Sequence, residues 1–155
     1  MVLLLESVLV RIHKSKNILT KLAGPLLDRI DIHIEVQGIE YEKLGNDHCI
    51  SENSAEIRKR VNRARQIQIN RYKEYGIFSN SELTPKLIEK YCKLAPTSKK
   101  ILEAAFERLG LSARAYSRIL KVARTIADLD GSPNIEIAHI SEAIQYRSLD
   151  RKYWK

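Results

Sequence analysis

Cations at helical spacing are the residues of this sequence best suited to chemistry. Arg114, Arg118 and Lys121 stand at i, i+4 and i+7, which makes one ridge of a helix. A guanidinium is a rigid, permanently charged fork for phosphate oxygens. Arg114 falls in the first turn of the expected helix, where unbonded backbone N–H groups also favour an anion. Such a ridge equally suits a plain solvated surface. Upstream, Arg58, Lys59, Arg60, Arg63, Arg65, Arg71 and Lys73 fill the arc of another helix that its apolar stripe leaves open, against only Glu56 and Glu74. That bias suits phosphate contacts from DNA or RNA; the alternative is again a solvated face.

Other reactive constellations are missing. The glycines at 24, 38, 45, 76, 110 and 131 are too far apart for G-x-x-x-x-G-K-[ST] or G-x-G-x-x-G, so the sequence lacks the usual nucleotide cradle. Neither G-x-S-x-G nor H-E-x-x-H occurs. The histidines are His13, His33, His48 and His139. His48 adjoins Cys49, a poor chelating pair, and no second Cys–His cluster completes a site, so no metal is expected. Asp28 and Asp31 sit near the start of a strand and are expected to make local hydrogen bonds rather than to catalyse.

The chain has 155 residues, enough for one domain or one domain plus part of another. Hydrophobic residues at 44% and charged residues at 30% fit a folded protein and exclude disorder throughout. The net charge of +8 favours polyanion partners. Two cysteines make no disulfide framework, which fits a reducing, cytoplasmic setting. Residues 1–10 are apolar but too short to span a bilayer. They carry Glu6 and are followed by Arg11, Lys14 and Lys16, the reverse of a signal peptide, so no membrane association is expected.

These cations need elements to position them. A break at Gly24 and Pro25 precedes strict alternation: Ile30, Ile32, Ile34 and Val36 on one face, Asp31, His33 and Glu35 on the other. That pattern predicts a half-buried strand over residues 30–36. A polar loop follows to residue 53. The remainder reads as helices. The first starts at Ser54 behind Asn53, with Glu56 placed for a capping box. It turns Ile57, Val61, Ala64, Tyr72 and Tyr75 inward and stops at Gly76. The second opens at Thr84 and Pro85, buries Leu87, Ile88, Tyr91 and Leu94, and ends at Ala95 and Pro96. The third starts near Thr97 or Ser98, uses Ile101, Leu102, Ala105, Phe106 and Leu109, and stops at Gly110. The fourth is capped by Ser112 and runs through Ile119, Val122, Ala123 and Ile126 to Leu129. After a turn at residues 130–133, the fifth spans 136–147 with Ile137, Ile140 and Ile144 inward. The tail is basic and ends in Tyr153 and Trp154. The fold expected is mainly α with a short N-terminal strand. One strand is not a sheet, so it belongs to a sheet whose other strands lie elsewhere or pairs with another chain.

The stretch Gly24-Pro-Leu-Leu-Asp-Arg-Ile-Asp-Ile-His-Ile-Glu-Val36 resembles the competence-type magnesium-chelatase-like AAA+ ATPase family (the ComM/YifB family). The resemblance continues through Ser54-Ala-Glu-Ile-Arg58, Arg60-Val-Asn-Arg-Ala-Arg65, Thr84-Pro85 and Tyr91-Cys-Lys-Leu94. It extends through Leu109-Gly-Leu-Ser-Ala-Arg-Ala-Tyr116, residues 119–129 and residues 142–151. It covers residues 24–155 without a large gap; residues 1–22 do not match the relatives well.

The resemblance implies the end of a AAA+ core over residues 24–53, then a four- to five-helix C-terminal lid of the magnesium-chelatase type over 54–155, behind a poorly matched segment 1–23. Arg29 matches the arginine finger position, which reaches the γ-phosphate held by a neighbouring subunit. A salt bridge from Arg29 to Asp28 or Asp31 is the structural alternative. Arg114 matches the sensor 2 arginine that opens a lid helix. The family implies a hexameric ATP-driven DNA helicase or branch-migration factor used in natural transformation. ATP and Mg2+ would be bound by the complete protein, and none by this chain alone, because the Walker segments and sensor 1 are missing. Implied partners are neighbouring ring subunits and single- or double-stranded DNA, with Arg58, Lys59, Arg60, Arg63, Arg118 and Lys121 as candidate DNA contacts. The alternative is a stand-alone basic helical module for nucleic-acid binding or assembly.

Overall fold

Side-chain caps and left-handed glycines mark where the helices begin and end. The computed structural model describes residues 29–34, 36, 38 and 52–147. Residues 1–28, Glu35, Gln37, the whole of 39–51 and the tail from 148 lie outside the described residues, and with them Asp28, His48 and Cys49. Helix α1 is Ser54–Tyr72; Asn53 Oδ1 accepts from the Glu56 N–H at 2.9 Å. A 3-10 turn, Lys73–Tyr75, follows and closes at Gly76 with φ 65°. A second 3-10 turn is Asn80–Glu82. Helix α2 is Pro85–Tyr91, α3 is Pro96–Leu109, α4 is Ala113–Asp130 and α5 is Ile137–Gln145. Gly110 and Gly131 end α3 and α4 in the left-handed region, which a residue without Cβ enters at little steric cost. Pro96 opens α3 rather than closing α2, which already ends at Tyr91; proline at the first helical position loses no hydrogen bond.

Helix α4 is the centre. It buries Ala115, Ile119, Leu120, Ala123 and Ala127 and packs against α1, α2 and α5; α5 also packs on α3. Small alanines at successive turns let neighbouring helices approach closely. Leu83, Ile88, Leu102, Ile135, Ile140 and Ile144 complete the core. A parallel bridge between Leu94 and Ile135 ties the α2–α3 link to the α4–α5 link. Among the described residues no helix is long and apolar enough to cross a membrane.

Three expectations are corrected. Ile137, expected inward, is 45% exposed at the start of α5, and Ile140 and Ile144 are buried. The inward arc of α1 holds only in its second half. Ala64, Gln68 and Tyr72 are buried, whereas Ile57 and Val61 are 41% and 42% exposed, because no described residue covers the first turns of that helix. Tyr75 is also partly exposed. The third correction concerns the alternating segment. No strand forms among its described residues, and Ile34 and Val36 are 66% and 84% exposed while His33 is buried. A strand needs a neighbouring strand to take its backbone groups. Here the bundle takes some of them instead: the His33 N–H donates to the Tyr146 carbonyl at 2.8 Å, and the Ile30 carbonyl accepts from Arg147 Nη1.

Candidate nucleotide-facing site on helix α4

The first turn of α4 is built by Ser112, whose Oγ accepts from the Ala115 N–H at 3.1 Å. This cap fixes where Arg114 emerges. Arg114 is exposed and has no partner among the described residues. One turn later Arg118 leaves the ridge. Its Nη1 donates to the Arg29 carbonyl at 2.9 Å and to the Asp31 carboxylate. Two turns later Lys121 Nζ donates to the Ser81 carbonyl at 2.8 Å. Only Arg114 of the three is therefore left open to a ligand.

Arg29 is exposed, and Asp31 is committed to Arg118 rather than to Arg29. Arg118 thus ties the backbone segment that carries Arg29 to α4, the helix that carries Arg114. Between the 31–34 segment and α4 lies a cleft of about 800 Å³. Ile32, Ile34, Val122 and Ile126 give it apolar walls; Arg114 and Arg118 stand at its polar part. The side toward α5 carries Tyr146, whose hydroxyl donates to Glu142 at 2.9 Å; that bond raises the Tyr146 pKa. An exposed guanidinium beside a helix N-terminus suits phosphate oxygens. Among the described residues no three His, Cys, Asp or Glu side chains gather to hold a metal ion.

The cations of α1 divide into different environments. Arg58, Lys59 and Arg65 are exposed. Arg60 is taken by a bidentate pair with Glu52, at 2.6 and 3.0 Å, which raises its pKa. Arg63 lies against the α4–α5 turn, its Nη2 3.1 Å from where a Cβ on Gly131 would stand. Arg71 is not on the solvated arc at all. It turns inward and forks onto Asp128 at 2.9 and 2.5 Å.

Asp128 anchors a buried network that the sequence reading did not identify. Arg124 Nε donates to it at 3.2 Å and Asn80 Nδ2 at 2.9 Å; Asn80 in turn accepts from the Tyr72 hydroxyl at 2.6 Å. Arg124 also donates to the Ser132 and Pro133 carbonyls at 2.7 and 2.9 Å. Desolvation of Arg71 opposes its charge, but the hydrogen bonds to Asp128 and Tyr72 prevail and raise its pKa. The available signal was an Arg–Asp pair at i, i+4, Arg124 and Asp128, on the apolar arc of α4.

Comparison with known proteins agrees with this architecture. The family model described as magnesium chelatase, subunit ChlI C-terminal, matches residues 51–147. The competence protein ComM of Haemophilus influenzae is 44% identical over 133 residues, covering 86% of this chain and 25% of that protein. The YifB protein of Salmonella typhimurium is 40% identical over 133 residues, covering 86% and 26%. An uncharacterized protein of Mycobacterium bovis is 30% identical over 129 residues, covering 83% and 25%. The chain spans about a quarter of the length of these relatives. With five α-helices among its described residues and this match, the chain belongs to the magnesium-chelatase-like ComM/YifB family and corresponds to its C-terminal helical lid.

Proposed function

We propose that this chain is the lid of a cytoplasmic ATP-driven DNA motor, a hexameric helicase or branch-migration factor of the natural-competence type. The observation that carries this reading is the Arg118 bond to the Arg29 carbonyl, one turn from Arg114. It ties the segment that carries Arg29 to the helix that carries Arg114, and both arginines are exposed. In this reading Arg29 reaches the γ-phosphate of ATP held with Mg2+ by a neighbouring subunit, and offsets the charge that develops during transfer. Arg114 reads the γ-phosphate from the start of α4, where helix and side chain both favour an anion. The printed name of the Haemophilus influenzae relative supports the competence setting. Arg58 and Lys59, exposed on the open turns of α1, supply phosphate contacts to DNA. Residues 24–53 close the ATPase core and 54–155 form the lid.

The sequence contains no phosphate loop, so hydrolysis needs the part of the longer protein that carries one. The test is ATPase activity of that longer protein with Arg29→Ala and Arg114→Ala. Both variants are expected to lose hydrolysis while this chain's affinity for oligonucleotides stays nearly intact. Unchanged hydrolysis in both would overturn the assignment.

A further inference from the structure

We propose that Tyr75, Phe78 and the Lys86–Lys90 ridge form a stacking site for single-stranded nucleic acid, distinct from the α4 face. The proposal rests on the DNA-motor reading and specifies the form of nucleic acid engaged.

The site begins as an aromatic ladder rising out of the core. Tyr72 is fully buried, and Tyr91 meets it edge to face at 5.2 Å between ring centroids. Tyr75 meets Tyr91 in the same way at 6.0 Å and is 38% exposed. Lys90 Nζ lies 5.2 Å from the Tyr75 ring centroid and 5.1 Å from that of Tyr91, and donates to the Tyr75 hydroxyl at 2.6 Å. An exposed ring and an exposed ammonium are thereby held together on a base that reaches the core. Lys90 has Lys86 four residues before it on the same ridge of α2, and Lys93 lies just past the helix end; all three are exposed. Glu74, Glu82 and Glu89 are the nearby exposed acids; Glu82 is committed to the Phe78 N–H and to Ser79 Oγ.

Phe78 is three residues beyond Tyr75 and is 62% exposed, with no ring stacked on it among the described residues. Its loop is tied rather than slack. Gly76 takes the left-handed conformation, and Glu82 accepts from the Phe78 N–H at 3.1 Å and from Ser79 Oγ at 2.8 Å. A ring left uncovered by the described residues contributes no burial to the fold, so the tied loop holds an apolar face available to a partner. Flat apolar rings interleaved with cations are what unpaired bases and their phosphates require; a duplex hides its base faces and offers only charge. Helix α1 leads into the ladder with exposed Arg58, Lys59 and Arg65 for the continuing backbone. The same loop is joined to α4 through the Lys121 bond to the Ser81 carbonyl.

The experiment is fluorescence anisotropy of the full chain with labelled oligo-dT and with a duplex of equal length, at two salt concentrations. The wild-type chain is expected to favour oligo-dT. Phe78→Ala and Tyr75→Ala should each weaken oligo-dT binding about tenfold and leave duplex binding within about twofold. Tyr75→Phe keeps the ring and should bind as wild type. Lys90→Gln should lower the salt slope by about 0.7. Circular dichroism on each variant establishes that the bundle is intact. Equal loss on duplex and single strand, or no loss in either alanine variant, overturns the stacking site. So does a change in self-association without a change in oligo-dT binding, which would make Phe78 a protein contact. None of these outcomes bears on Arg29 and Arg114, whose ATPase test stands separately.

Discussion

Asp31 accepts a hydrogen bond from Arg118, 87 residues further along the chain, and the same Arg118 nitrogen reaches the Arg29 carbonyl. One side chain of the ridge therefore serves as a strut. It holds the segment that carries Arg29 against the helix that carries Arg114. Asp31→Asn should weaken this strut without unfolding the bundle. Because the pair is partly exposed, the stability loss should stay below about 1 kcal/mol. The readout is hydrogen exchange: the His33 amide, bonded to Tyr146, should exchange faster while α4 and α5 amides hold their protection.

Asp128→Ala should be the most damaging single change among these. It strands Arg71 and Arg124 beside a void with no counter-charge. Removing one partner of a buried ion pair costs about 3–5 kcal/mol. Urea unfolding followed by circular dichroism measures it; a loss below about 1 kcal/mol would contradict the central role given to Asp128.

Gly131→Ala tests a second point of support for α1. The backbone there has φ 75°, and the new methyl would stand 3.1 Å from Arg63 Nη2. Left-handed strain alone costs roughly 1–3 kcal/mol. The Arg63 contact adds little, since the far end of a flexible side chain can move. Arg63→Ala should therefore recover only a small part of the loss, as read by thermal unfolding of the double variant.

Alkaline pH should weaken the fold. Burial pushes the Cys92 thiol up from 9.0 to about 11, and desolvation also raises the Tyr72 hydroxyl. The folded chain keeps protons that the unfolded chain releases, so stability present below pH 9 falls as pH rises toward 11. In a Cys49→Ser background, Cys92 should react with a thiol reagent at pH 8 only as fast as the bundle opens. Immediate stoichiometric reaction would contradict its burial.

The helices were legible because their signals are local. Asn53, Ser112, Gly76 and Gly110 act within one turn, and α4 wears its apolar arc openly. The alternating isoleucines were legible as a strand pattern, but a strand is a relation between segments, and no described strand lies beside this one; helices do. Ile57 and Val61 continue the buried stripe of α1 past the point where described residues can cover it. Arg71 looked like one more surface cation, because its partner Asp128 lies 57 residues away and only folding brings them together. Arg29 was identified by resemblance, and Arg114 by its place at a helix start as well; the strut from Arg118 to the segment of Arg29 is one that no spacing rule could reveal.

The most direct test of the account is a subunit-mixing ATPase measurement on the longer protein that contains this lid. Subunits carrying Arg29→Ala should be inactive alone, with hydrolysis reduced about a thousandfold or more. Subunits with an intact Arg29 and a disabled phosphate loop should also be inactive alone. Mixed, the second kind supplies the missing arginine to the intact nucleotide sites of the first, and activity should return. If mixing restores nothing, or if Arg29→Ala subunits hydrolyse ATP normally by themselves, Arg29 does not act across a subunit boundary.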